Sequence, residues 1–323
     1  MTAAPAPLDG LRSVLDELAA TTGADEEELV ALVERAVAQT HARLHPEEPP
    51  VVARFDPVAA TVRLERTTES GEVEPVAQGS ESLRQSALAI RGAVAALLRE
   101  AERSRAIREG GARRGELVDA IVERQDENGL WWLRVDDLTA LLPPEEQVAG
   151  EVLERNRHLK VVAVEVRRRP KDAVLVVSRN RRELLRRLLE QEVPELATGQ
   201  VVIRALVREA GRRSKVAVEA PDGGVDAEGA CIGPRGVRIR AVVGELGEEQ
   251  VQVLAWSADP SIFVSSALGP ATVTAVELDE ETRTAHVVVP DSQLSLAIGR
   301  GGENARLAAR LTGWRIDLRG ESA

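Results

Sequence analysis

The sequence predicts an α+β protein with several domains, and three observations support this prediction. Most of the first 110 residues alternate apolar and polar positions with a helical period, whereas from Glu116 the period becomes two, as in strands. From Gly199 onward, strands and short helices alternate in a pattern that occurs twice. The 323 residues are enough for about two to four small cores, and with aromatics at only 2% these cores consist of Leu, Val, Ala and Ile.

Residues 1–110 are predicted to form an α/β N-terminal domain. Residues 8–44 carry two amphipathic helices, the second with a cap-like start at Asp25 and Glu28. Residues 50–76 have the pattern of short strands around turns, and residues 80–110 that of one long amphipathic helix. The glycines and charges of "REGGARRGE" then predict a linker near residues 109–115.

Residues 111–197 are predicted to form a small five-stranded barrel of the OB type, with a helix over residues 180–191. The segments "DENG" and "RRPKD" supply the turns of two hairpins. Trp131 and Trp132 point to opposite faces of their strand. One of them is expected in the core, and the other either packs as well or offers a surface on which a base stacks.

The charge distribution differs along the chain. The whole sequence has a net charge of −11, which by itself argues against a nucleic-acid partner, and residues 1–110 carry a net −7. Residues 155–187, however, hold 12 Lys and Arg against 3 Asp and Glu, a net of +9. Phosphates respond to fields within about 10 Å, so this stretch predicts salt-dependent binding, unless it is only a solvated face.

The repeat contains a short glycine motif in each copy. Ile232-Gly233-x-x-Gly236 matches Ile298-Gly299-x-x-Gly302 at an offset of 66 residues, and Arg240 matches Arg306 at the same offset. Each motif lies between two helices that follow a β-hairpin. This is the arrangement of KH domains, in which the loop clamps the backbone of single-stranded RNA beside a groove for about four bases. Tandem KH domains are therefore predicted over residues 198–270 and 271–323.

The glycines allow a phosphate to approach the start of the following helix, where free N–H groups and the dipole favour anions. Glycine also ends helices, so a single loop is explained equally well as a helix C-cap. Two loops in the same register favour RNA contact. The predicted RNA-binding residues are Gly233, Pro234, Arg235, Gly236 and Arg240, then Gly299, Arg300, Gly301, Gly302, Asn304 and Arg306, and at the barrel hairpin Arg167, Arg168, Arg169 and Lys171.

Several segments of the chain resemble the NusA family of bacterial transcription elongation factors. In the barrel they are "LLPPEEQVAGE" and "LVVSRNRRELLRRLLEQEVPEL"; in the repeat they are "VDAEGACIGPRGVRIRAVVGEL", "AWSADPSIFVSSALGPATV" and "VVVPDSQLSLAIGRGGENARLAARLTGWRIDLR". The resemblance implies an N-terminal domain that binds core RNA polymerase, an OB barrel of the ribosomal S-one type and two tandem type II KH domains. Glu303 departs from the family, which more often has glutamine after the loop, and its charge is expected to weaken RNA binding there.

The same resemblance implies the function and the partners. The chain would bind single-stranded nascent RNA and core RNA polymerase and modulate pausing, termination and antitermination, with other antitermination factors as further partners. It would act as a cytoplasmic monomer. Two alternatives remain: a KH/OB RNA-binding subunit of an RNA-processing or degrading complex without polymerase contact, and a ribosome-associated KH protein.

Signals for other classes of protein are missing from the sequence. The single cysteine, Cys231, excludes an internal disulfide framework, and His41 and His45 have no further ligand that would complete a metal shell. There is no phosphate-binding loop of the nucleotide type. No apolar run reaches the roughly 18 residues of a membrane helix, and the first residues do not resemble a secretory signal. We therefore expect a soluble protein that is not an enzyme and uses neither metal nor cofactor.

Overall fold

The computed structural model describes residues 26–57, 61–67, 72–76, 106–169, 173–247 and 249–322, together with isolated positions before residue 105. The chain divides into two compact units. The first runs to Glu109 and includes Arg168–Ala173. The second consists of Gly110–Arg167 and Val174–Ala323.

In the first compact unit, helix α1 (Glu26–Leu44) packs on a small antiparallel sheet. In this sheet β3 pairs with each of the other strands. The apolar face of the helix, with Leu29, Val33 and Val37, is buried against Phe55 and Leu64. The elements are β1 (Ala6–Pro7), α1 (Glu26–Leu44), β2 (Val52–Asp56), β3 (Thr61–Thr67) and β4 (Val73–Val76).

The helices predicted in this unit are described only in part. The second helix of residues 8–44 is α1, whereas the first lies outside the described residues except for Ala19, which is helical. Within the predicted helix 80–110, every described position is helical, namely residues 85, 88, 92, 95, 96, 103, 104 and 106–110.

Helical structure continues through Gly110 and Gly111 to Ala112, where the sequence predicted a linker. The chain turns only at residues 113–115. Gly110 is buried, and a Cβ there would lie 2.6 Å from Cγ2 of Val166. The glycine therefore allows close packing of a helix on a strand, and does not break the helix.

Five strands form a closed barrel in the second unit. The strand order is β5-β6-β7-β9-β8. Strand β5 pairs antiparallel with β6 and with β8, β6 pairs antiparallel with β7, and β7 pairs in parallel with β9. Alternate side chains fill the interior, among them Val122, Leu133, Leu142, Val161 and Leu175. The strands are β5 (Leu117–Gln125), β6 (Trp131–Val135), β7 (Leu138–Leu142), β8 (His158–Arg168) and β9 (Ala173–Ser178).

The predicted internal repeat is confirmed as two α/β units with the same strand pairing. In each, a hairpin is followed by two helices and a third strand that joins the sheet in parallel. The first repeat unit has α2 (Arg182–Glu192), α3 (Pro194–Ala197), β10 (Val202–Glu209), β11 (Arg213–Glu219), α4 (Ala227–Ile232), α5 (Val237–Leu246) and β12 (Gln250–Ala255). The second has α6 (Pro260–Ala267), β13 (Ala275–Asp279), β14 (Thr284–Val289), α7 (Leu294–Ile298), α8 (Glu303–Thr312) and β15 (Arg315–Gly320).

Helix α2, which the sequence analysis grouped with the barrel, packs into the core of the first repeat unit. Leu184, Leu185, Leu188 and Leu189 are all buried there. Its main neighbours are α5 and β10, and it touches barrel strand β5 to a smaller extent. Each repeat unit is thus preceded by a helix, since α6 holds the corresponding place before β13.

The two repeat units share one hydrophobic core. Leu254 in the first sheet, Phe263 and Leu268 around α6, and Leu311 and Trp314 in the second unit belong to one buried cluster. The connection at residues 268–270 is held from both sides: Lys215 donates to the Gly269 carbonyl at 3.1 Å, and Asn304 donates to that of Leu268 at 2.9 Å. The repeat therefore forms a continuous body and not two independent modules.

Lys215 is fully buried where the two repeat units meet, and burial lowers the pKa of its amine from 10.5 to about 8. Between these two pH values the unfolded chain holds a proton that the folded chain has released. The free energy of unfolding should therefore rise by about 3 kcal/mol as the pH increases over that range. The Lys215→Met variant has no amine at this position, so its free energy of unfolding should not show this rise. Urea unfolding near pH 7 and near pH 10.5 measures the effect.

The Lys160→Met variant, which removes the barrel lysine paired with Asp119, is the control for loss of a lysine. A constant difference in unfolding free energy between the wild type and Lys215→Met at both pH values would contradict this account of Lys215.

No helix among the described residues is long and apolar enough to cross a membrane.

Candidate nucleic-acid interface

The two Gly-x-x-Gly loops adopt the same backbone conformation. The first glycines, Gly233 and Gly299, have φ/ψ of 74/168° and 78/170°, and the last, Gly236 and Gly302, are left-handed at 72/21° and 77/11°. The third position is also left-handed, with Arg235 at 53/25° and glycine in the second loop at 58/25°. A non-glycine residue in this conformation costs about 1 kcal/mol or more, so the shape of the first loop is kept against a local penalty.

The glycines have different roles within each loop. A Cβ on Gly299 would lie 2.7 Å from Cβ of Asn304, and one on Gly233 would lie 2.7 Å from Cγ of Arg238. These first glycines let the loop pack against the following helix. A Cβ on Gly301 or Gly302 would meet nothing within 4 Å, so the outer side of the second loop is open to a partner.

The helices that follow the loops begin without a side-chain cap. Both α5 and α8 have glycine at the N-cap and no capping hydrogen bond from that residue. By contrast, the N-terminus of α4 is capped by Asp226 and that of α6 by Asp259. The N–H groups of Val237 and Glu303, the first residues of the two helices, donate to the carbonyls of Pro234 and Arg300, and the N–H groups that follow them need further acceptors. A phosphate at each loop would supply them, together with the favourable end of the helix dipole.

Aliphatic side chains remain exposed beside both loops. Ile232 and Val237 flank the first loop with exposed fractions of 40% and 55%. Leu296 and Ile298 lie beside the second, at 47% and 38%. Sequence analysis missed this feature, although Ile232 and Ile298 occupy the same place in the repeat. Exposed aliphatic groups next to a phosphate-binding loop suit the faces of unstacked bases.

The predicted arginines divide into exposed and engaged side chains. Arg235 and Arg300, inside the loops, are exposed, as is Pro234. Arg240 donates to the Arg235 carbonyl and thus braces the first loop. Its counterpart Arg306 instead forms two hydrogen bonds with Glu209 of the first repeat unit, at 2.8 and 3.0 Å.

Asn304, a predicted RNA contact, is completely buried. Its side-chain amide donates to the carbonyl of Ala297 at 3.0 Å as well as to that of Leu268. Arg238, at the same place in the first unit, donates to the Ala230 carbonyl and pairs with Glu195. Both residues hold the helix before the loop against the helix after it, so Asn304 acts from inside the protein.

The basic stretch of residues 155–187 contains both structural and exposed side chains. Arg179 is buried, Arg181 pairs with Glu146, and Arg187 donates to the Gly115 carbonyl at 2.8 Å. At the hairpin, Arg167 and Arg168 are exposed, with Arg167 3.1 Å from Glu165, and Arg169 is half-buried. Lys171 lies outside the described residues.

The two tryptophans of the barrel differ as the strand alternation predicts. Trp131 packs against the barrel core. Trp132 lies on the other side of β6, with the guanidinium of Arg124 4.2 Å from the centre of its ring. A base that stacked on Trp132 would therefore have to displace Arg124 or use the opposite face of the ring.

The residues considered for thiol chemistry or metal binding are buried or lack the further ligands that a metal site needs. Cys231 is buried, and burial raises the pKa of its thiol to about 11. His41 is buried and stacks on His45 with 4.6 Å between ring centres, and burial lowers the pKa of His41. Within the described ranges, no group of three or more His, Cys, Asp or Glu side chains is placed to hold a metal ion.

The fold and the two loops together define the second half of the chain as a pair of tandem KH domains. Residues 179–256 match the family of NusA-like first KH domains, and residues 260–323 match that of NusA-like second KH domains. The first match begins at Arg179 and so includes α2, in agreement with its packing.

Relatives that match more than two thirds of this chain show the same relationship. The transcription termination/antitermination protein NusA of Mycobacterium bovis is 45% identical over 232 residues, which cover 69% of this chain and 67% of the relative. NusA of Bacillus subtilis is 43% identical over 70% of this chain and 60% of its own length. NusA of Rickettsia conorii is 29% identical over 94% of this chain and 66% of its own length. The chain belongs to the NusA family and is an RNA-binding transcription factor.

Proposed function

We propose that the chain binds core RNA polymerase together with the emerging single-stranded transcript and so modulates pausing, termination and antitermination. The RNA part is supported by the two loops of matching backbone, each followed by an uncapped helix. The transcriptional part is supported by the relatives, which are named transcription termination/antitermination proteins.

In this proposal the two loops hold successive stretches of one RNA strand. The backbone of Gly233–Gly236 and Gly299–Gly302 and the exposed Arg235 and Arg300 contact phosphates, while the aliphatic side chains beside each loop contact bases. Arg240 and Asn304 keep the loops in shape from within. Because the two domains share a core, the strand crosses a surface of fixed geometry.

The barrel is proposed as a further RNA-binding domain of the OB type. A closed barrel of five strands with the order β5-β6-β7-β9-β8 supports this assignment. The exposed Arg167 and Arg168 at its hairpin are the proposed phosphate contacts, together with Arg169 and Lys171, which follow them in the sequence. We place the barrel over residues 111–178, ahead of α2, and the KH domains, of type II, over residues 179–256 and 260–323, because α2 precedes the hairpin of the first KH domain and α6 precedes that of the second.

Residues 1–110 are proposed as the domain that binds polymerase. Their net charge of −7 repels RNA, so this part of the chain suits a protein partner. Tethering to polymerase would raise the local concentration of the RNA-binding domains to roughly the millimolar range, so individually weak contacts suffice. We propose that the protein works as a cytoplasmic monomer without metal, cofactor or enzymatic activity, alongside other antitermination factors.

Removal of residues 1–104 should abolish co-purification with core RNA polymerase while leaving RNA affinity within about twofold of the full chain. This truncation keeps Gly110 in its place against Val166. At equal protein concentration it should also lose the effect on pause lifetime, because the RNA-binding domains are no longer tethered. Pull-down with core polymerase and a single-round pausing assay measure the two effects.

A truncated chain that still prolongs pausing at the same concentration would show that the protein acts through RNA alone. A full-length chain that co-purifies with ribosomes or an RNA-degrading complex, and not with polymerase, would favour the alternative of a KH protein without polymerase contact.

A further inference from the structure

Glu303, the first residue of α8, places a carboxylate directly after the second loop. Its side chain is 13% exposed, and its Oε1 atom is buried and accepts no hydrogen bond from the described part of the chain. The first domain has Val237 at the equivalent position. A carboxylate here lies at the positive end of the helix, where a phosphate would bind, so by itself Glu303 would repel RNA.

One arginine of the first KH domain faces this carboxylate. Arg212 lies in the turn between β10 and β11, and its Nε atom is 3.3 Å from Oε1 of Glu303. The Arg212 side chain is 66% exposed, so the pair opens onto the protein surface. The charge that adjoins the second loop is therefore balanced by a residue from the neighbouring domain.

The turn that carries Arg212 is docked along one face of α8. Glu209, at the end of β10, pairs with Arg306 at 2.8 Å and Arg310 at 3.3 Å. Arg306 and Arg310 follow Glu303 on the same helix face, at intervals of three and four residues. The two acidic and three basic side chains thus form three ion pairs between the domains, and the pair of Arg212 with Glu303 is the one at the start of α8, next to the second loop.

We propose that Arg212 of the first KH domain enables RNA to bind at the loop of the second domain by cancelling the charge of Glu303. Arg212 is a positioning residue here, because it acts through Glu303 and not by contact with the strand. The proposal rests on RNA binding by the second loop. It implies that the phosphate site of this loop is complete only when the β10–β11 turn lies on α8.

A double-mutant cycle in the full chain tests this proposal with a labelled single-stranded RNA at about 100 mM salt. Arg212→Ala should weaken binding about three- to tenfold, whereas Glu303→Gln should bind as tightly as the wild type or more tightly. The double variant should bind like Glu303→Gln. The loss in Arg212→Ala should shrink as salt rises, since salt screens the repulsion.

Arg213→Ala is the matched control, because it removes an arginine from the adjacent position whose guanidinium donates to Gln250. Its RNA affinity should stay within about twofold of the wild type. Thermal unfolding of all variants verifies that they are folded.

Three results would overturn the proposal. An equal loss of RNA affinity in Glu303→Gln and in Arg212→Ala would mean that the ion pair only holds the domains together. The same loss from Arg212→Ala in both backgrounds would mean that Arg212 contacts RNA directly. Wild-type affinity in Arg212→Ala would mean that the pair has no role in binding. The variant Arg300→Asp/Gly301→Asp distinguishes failure of the Arg212 proposal from failure of the proposed function. If this variant does not weaken RNA binding, RNA contact by the second loop itself is refuted.

Discussion

Replacement of Pro234, Arg235, Arg300 and Gly301 by aspartate, two in each loop, should weaken binding of single-stranded RNA by about 100-fold or more. The four carboxylates would face the phosphates at the starts of α5 and α8, and two arginines would be lost. Aspartate tolerates the left-handed backbone of positions 235 and 301 better than most residues, so the loops should keep their shape. Fluorescence anisotropy at fixed salt measures the affinity.

Each loop altered alone should cause a smaller loss of about tenfold, because the two loops hold the same strand. The matched control introduces two aspartates at Arg35 and Gln39, exposed positions on α1. Its RNA affinity should not change. Unaltered affinity in the variant with both loops changed, at an unaltered unfolding temperature, would refute the assignment of these loops as the RNA site.

Replacement of Arg179 by methionine should destabilise the protein by about 3–5 kcal/mol. The Arg179 side chain is 1% exposed, pairs with Glu151 of the barrel and with Glu245 of α5, and donates to the Lys160 carbonyl at 2.8 Å. Its loss leaves two carboxylates without their partner in a poorly solvated place, which costs far more than the pair itself contributes. Urea unfolding, followed by circular dichroism, measures the change.

Arg182→Met is the control for this prediction, since it changes an arginine three positions along the chain whose side chain is 70% exposed. The Arg182→Met substitution should change the free energy of unfolding by no more than about 0.5 kcal/mol. Adding Glu151→Gln and Glu245→Gln to Arg179→Met should restore part of the stability, because the uncompensated charges are then gone. Equal unfolding midpoints for Arg179→Met and Arg182→Met would contradict the role given to Arg179.

Both results bear on how the domains cooperate. Arg179 links the barrel to the first KH domain, while Lys215, Asn304 and the shared core link the first KH domain to the second. If RNA binds to these domains as proposed, RNA held by one domain would be presented to the next at a distance set by the fold. Flexible linkers would instead let the domains bind independently.

The sequence alone determined the order of the elements, the repeat at an offset of 66 residues and the two glycine loops. These features depend on local rules. Hydrophobic periodicity distinguishes helices from strands, and glycine at positions such as Gly302 reports a left-handed backbone wherever the chain packs. A motif that occurs twice in register could thus be assigned to KH domains before any contact was known.

The tertiary structure alone decided what the charged and polar residues near the loops do. Sequence analysis placed Asn304 and Arg306 among the RNA contacts, yet one is buried and the other pairs with Glu209, 97 positions earlier. Arg179 belongs to a basic stretch but binds Glu245, 66 positions away, inside the protein. The parallel pairing of β7 with β9 also joins strands that are distant in the chain. Burial and charge pairing depend on neighbours that only the folded chain brings together, so no local pattern specifies them.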